Sequence, residues 1–232
     1  CLTLWCSKLL CQCCQLDTSS ASARGSVMKK ALIIAALTAS VCQSAVADPM
    51  AVHQTAQALF AQLPDVEARA DLNAACGGGA NSNPHIGYCA SNNTIFVSDD
   101  FATRPQASYE MAHVLDHAIQ VRHGIADVAL RAILNRRSEE DALRGMVTRQ
   151  VDCVAGVLMA SAGLAPADLN QLFATEPFTD AHWGRQPINS GPRVTVGLAA
   201  RTQWYDIGYT AHDFAVCSVG EMSSDLIVAA LR

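Results

Sequence analysis

The segment that most constrains this chain lies near its start. Met28 is followed by Lys29 and Lys30, an apolar run from Ala31 to Cys42, and Ala45-Val46-Ala47 ahead of Asp48. A basic stretch, an apolar stretch short of the roughly 20 residues a bilayer needs, and an A-x-A site together form the pattern of a cleaved secretory signal. The expectation is an exported protein, periplasmic or secreted, whose folded part is 48–232. It keeps no stable membrane span once the signal, 28–47, is removed. A lipoprotein site at Cys42 fits less well, because Val41 is larger than the residue such sites take. Residues 1–27 carry Cys1, Cys6, Cys11, Cys13 and Cys14 without apolar periodicity and read as a leader from an over-extended start. A cysteine-rich metal-binding head is the alternative, but its spacings match no common zinc pattern.

This division changes what the composition means. Of ten cysteines, six fall in the first 42 positions. The exported part keeps Cys76, Cys89, Cys153 and Cys217. An even count in an oxidising compartment predicts two disulfides, and four cysteines allow three pairings. A four-thiolate zinc site is the rival, unsupported by any close C-x-x-C pair. Residues 48–232 hold 12 Arg, no Lys and 20 acidic residues, a net charge of −8. That excludes an electrostatic nucleic-acid binder, which needs a basic face against phosphates. The span suits one domain with a substantial core.

Along that domain, Val52, Ala56, Leu59, Phe60 and Leu63 share one stripe and predict a helix over 51–63. Residues 75–84, rich in Gly, Asn and Ser, read as a loop, and Thr94 to Val97 as a short strand. Ser108 is placed to cap a helix from Tyr109 to about His123, and Asp127 to Leu134 forms a shorter one. Ser138 with Asp141 resembles a capping box opening a helix to about Ala162. Pro166 stands at the first turn of a helix over Ala167 to Phe173. Thr175 to Pro192 is a loop, and Arg193 to Tyr205 is helical.

The chemistry centres on His113 and His117, four apart on the predicted helix. That spacing stacks two imidazoles where both can reach one metal ion. The segment Tyr109-Glu110-Met111-Ala112-His113-Val114-Leu115-Asp116-His117-Ala118-Ile119-Gln120 resembles the HExxH helix of the bacterial neutral zinc metallopeptidases. Three further blocks follow that family's order. Ala75-Cys76-Gly77, Gly87-Tyr88-Cys89 and Thr94-Ile95-Phe96-Val97 are similar to its cysteine loop and strand, and Gln150-Val151-Asp152-Cys153-Val154-Ala155-Gly156-Val157 to its Q-A-D-C-F-A-G-V helix. Arg201 to Cys217 resembles its C-terminal helix and last cysteine.

The resemblance implies a zincin-like single domain of α+β class, mainly helical, with a short strand or small sheet before the motif helix. It implies His113 and His117 as metal ligands, Asp152 orienting a histidine from behind, and the pairings Cys76–Cys89 and Cys153–Cys217. This chain departs from the family at both glutamates. Val114 stands where the general base belongs, and Thr148 where the third ligand does. Valine takes no proton, and a neutral hydroxyl is a poor zinc ligand. The expectation is a zinc-peptidase-like protein that binds zinc weakly or not at all, cuts nothing, and acts by binding peptide or protein. The alternative is an active metallohydrolase using Asp116 or Glu110 as base or third ligand; otherwise both are solvated helix surface. His182 either stabilises an oxyanion or is a loop histidine.

Overall fold

A computed structural model describes residues 47–72, 83–174 and 196–232. The expectations for 1–27, for 28–46, for the loop around Cys76 and for the loop from Thr175 that holds His182 lie outside the described residues.

The first helix, α1 (Pro49–Leu59), begins where the Asp48 carboxylate accepts the Ala51 N–H at 2.9 Å and Pro49 takes a first-turn position that needs no donor. Val52, Ala56 and Phe60 are fully buried. The helix stops at Leu59 rather than at Leu63, because Phe60 turns extended and bridges Leu231 near the C-terminus.

Three four-residue strands follow: β1 (Asp65–Ala68), β2 (Ile86–Cys89) and β3 (Thr94–Val97). They form a mixed sheet in the order β1-β3-β2, with β1 parallel and β2 antiparallel to the central β3. The turn from β2 to β3 passes through Asn93 in the left-handed region, φ 54°, which Asn tolerates. Its amide also accepts the Tyr88 hydroxyl at 3.0 Å and donates to the Gln62 carbonyl at 3.2 Å. As the centre of the sheet, β3 buries residues on both faces, Ile95 into the main core and Phe96 against Leu72 and Cys89.

The rest is helical. α2 (Ala107–Arg122) turns at Gly124, φ 79°, into α3 (Ile125–Asn135), and a 3-10 turn leads into the long α4 (Glu140–Ser161). After the short α5 (Leu169–Leu172) come α6 (Gly197–Ala211), a 3-10 turn at Phe214–Cys217 and α7 (Asp225–Ala229). The molecule is thus mainly helical with a small mixed sheet. Among the described residues no helix is long and apolar enough to cross a membrane.

Several predicted helix starts are corrected. Ser108 does not cap α2; it lies inside the first turn, buried, with its hydroxyl unpartnered, because Gln106 precedes the helix and Ala107 already bonds back to Arg104. Ser138 falls within the 3-10 turn ahead of α4 and makes no cap bond. Instead of starting at Ala167, α5 is capped by the Asp168 carboxylate on the Gln171 N–H at 3.1 Å. Of the helix expected from Arg193, the described part begins at Gly197 and runs on to Ala211.

The core lies where α2, α4 and α6 meet. Met111, Ala112, Leu115 and Ile119 pack with Val154, Val157, Leu158 and Tyr205. A second cluster, Ala129, Ile133, Leu143, Val147, Val151 and Met222, seats α3 on the first half of α4.

Candidate functional site

The buried carboxylate of Asp152 on α4 is the hub of the site. Its Oδ1 accepts the Tyr109 hydroxyl at 2.8 Å and a guanidinium N–H from Arg201 at 3.5 Å, and it lies 3.3 Å from His113 Nδ1. A charge removed from water needs such company. Arg201, itself 1% exposed, supplies the countercharge from α6. Burial, followed by the charge of Asp152, holds the Tyr109 hydroxyl well above its ordinary pKa, so it remains a donor.

His113 and His117 do share a face of α2, with ring centroids 5.0 Å apart, edge to face. A neutral His113 that carries its proton on Nδ1 directs it at Asp152 and leaves Nε2 to bind, the arrangement that orients metal-binding histidines. His117 is pushed down to about 3, chiefly by burial and then by the charges of His113 and Arg201, with a Gln120 hydrogen bond acting the other way. It is therefore neutral at every physiological pH, as a ligand must be.

The two carboxylates proposed as substitutes are not solvated surface. Glu110 is 7% exposed: its Oε1 accepts from Asn83 at 3.1 Å, and its Oε2 lies 3.7 Å from Arg104 Nε. Asp116 is fully buried, and neither oxygen has a hydrogen-bond partner. Burial first, then the charge of Asp152, hold its pKa well above the usual carboxylate range. Both were misjudged for one reason: α2 has core on more than one side, packing on α1, β2 and α4. A periodic pattern suggests one buried face; this helix has several.

Val114 packs partly buried against the core, and Thr148 is fully buried with its hydroxyl unpartnered. Among the described residues no group of three or more His, Cys, Asp or Glu is placed to hold a metal ion. The donor set seen is two imidazoles, short of the three protein ligands that a catalytic zinc takes. No hydrolytic step can be derived through a metal here.

Compared with protein-family models, curated proteins and solved structures, the chain matches none. The site therefore rests on its own geometry.

That geometry includes two residues the sequence analysis left unassigned. Tyr109 stands one turn before His113 on the same helix face, a spacing that was there to be read. Arg201 gave no local signal, since only the packing of α6 on α4 brings it to Asp152. Behind the hub, Gln150 donates to the carbonyls of Cys217 and Met222, both at 3.1 Å, and of Ser223 at 3.2 Å. Cys153, next to the hub, is bonded to Cys217 with Cα atoms 5.5 Å apart, the pairing that the resemblance implied. Cys89 is also disulfide-bonded; Cys76, its expected partner, is outside the described residues. Tyr109 further forms one wall of a groove of about 340 Å³, completed by Pro105, Ser108, Met159, Leu164 and Leu172 among others.

Proposed function

We propose that this chain is an exported zinc-metallopeptidase-like protein that no longer cleaves peptides and acts by binding peptide or protein. The observation that carries the reading is the pairing of His113 and His117 on α2 in front of Asp152, with Val114 and Thr148 at the two glutamate positions. Loss of a general base alone costs about 10² to 10⁴ in rate. Loss of the third ligand weakens metal binding as well. The groove beside Tyr109, apolar along Met159, Leu164 and Leu172, is where an apolar peptide side chain would lodge. Export is supported by the segment from Met28 to Ala47 and by the Cys153–Cys217 bond.

One observation favours a second reading. The carboxylate of Asp116, three residues after His113, is buried without a partner, and an active metallohydrolase would use it as ligand or base. Zinc retention after dialysis, measured together with hydrolysis of unfolded protein substrate, separates the two. The binding protein retains well under one zinc per chain and shows no hydrolysis above the blank. One tightly held zinc per chain, lost in His113→Ala, with hydrolysis lost in Asp116→Asn, would establish the enzyme instead.

A further inference from the structure

Helix α3 has two apolar faces, and the protein buries only one. Ile125, Ala126, Ala129 and Ile133 point inward. On the other side Val128, Leu130 and Leu134 are 44%, 39% and 58% exposed. Asp127, Leu130, Arg131 and Leu134 stand at the i, i+3, i+4, i+7 spacing of a single stripe. Its two charges are opposite in sign, one turn apart, and neither makes an ion pair among the described residues. Neighbouring arginines do: Arg136 with Glu139 and Glu221, Arg137 and Arg144 with Glu140.

We propose that this face docks a second copy of the chain, α3 against α3, antiparallel about a two-fold axis level with Ala129. In that register Asp127 of each copy meets Arg131 of the other, and Leu130 meets Val128. The charges choose the arrangement. A two-fold parallel to the helices would oppose like charges, Asp127 to Asp127 and Arg131 to Arg131, which is repulsive. The antiparallel two-fold makes both contacts attractive and repeats each, as an isologous interface requires. With a net charge of −8 over 48–232, two copies repel one another at most approaches, so a face whose own charges cancel is the favoured one. Three apolar side chains on one helix make a patch smaller than the ~800 Å² per partner of a standard interface, so the dimer is weak and concentration-dependent.

Sedimentation equilibrium of the protein from about 10 µM to about 1 mM spans the range in which such a dimer forms. The mass average rises from one chain towards two. Leu134→Glu keeps it at one chain throughout. Asp127→Arg and Arg131→Asp each weaken association at least tenfold, and the double variant Asp127→Arg/Arg131→Asp recovers it, because the exchanged charges pair again across the axis. Unchanged thermal midpoints show that the variants fold. A monomer at every concentration overturns the proposal, as does a dimer indifferent to Leu134→Glu or a double variant that associates no better than the singles.

Discussion

Two buried aspartates near the histidine pair are treated differently by their surroundings. Asp152 has Arg201, Tyr109 and His113 around it and can stay ionised. Asp116 has no partner, and its pKa is raised by burial and by Asp152. As the chain folds, Asp116 takes up a proton that the unfolded chain releases above about pH 3.9. The stability tied to its neutral form is complete below that pH and is lost as pH rises through the raised folded value. Asp116→Asn, which is neutral throughout, should raise the melting temperature at about pH 8 and change it little at about pH 4. A lower melting temperature at the higher pH would mean that the ionised carboxylate is used. His117 acts in the opposite sense. With its pKa lowered to about 3, its contribution is intact above the ordinary histidine value and lost as pH falls towards the folded one. At this scale the histidine spacing and Asp152 were legible, because they sit on local helical repeats. The burial of Asp116 and Glu110 was not, since it depends on what lies against the other sides of α2.

Among the elements, the closest approach is α4 on α6. Gly156 and Gly208 face it from the two helices. A Cβ at Gly208 would overlap the Cys153 carbonyl oxygen, and one at Gly156 the Tyr205 carbonyl oxygen. These obstacles are backbone, so no rotamer change relieves them. Gly208→Ala should therefore destabilise by ~3 kcal/mol despite its better helix propensity, and lower the melting temperature by about 6 to 12 °C. No change, or a gain, would show that α4 and α6 stand further apart. The same contact carries Arg201 to Asp152, so packing and site are coupled. The helices were legible from apolar periodicity, but their ends were not. Ser138 is absorbed by a preceding 3-10 turn, and Ser108 lies inside α2. Only β3 of the sheet had a local signature. The pairing of β1 joins residues about thirty apart in sequence, Asp65 with Thr94, which no short window contains.

At the level of the whole molecule, the Cys153–Cys217 bond closes a separation of 64 residues and ties the C-terminal turn to the middle of α4. The loop entropy it removes from the unfolded chain is worth ~4 kcal/mol. Replacing both cysteines by alanine should lower the melting temperature by about 8 to 16 °C and remove its sensitivity to reductant at that bond. If the variant melted like the parent, the Gln150 contacts to Cys217, Met222 and Ser223 would be holding that segment on their own. By itself the sequence determined the local order: the main helices, one strand, two histidines four apart, and cysteines suited to disulfides. Each is written in a short period or in composition, and neighbouring residues suffice to express it. The tertiary structure alone decided that Asp116 lies dry and unpartnered, that Arg201 balances Asp152, and that α3 leaves an apolar face uncovered. Those outcomes depend on which surfaces meet when distant elements stack, and no local repeat carries that information.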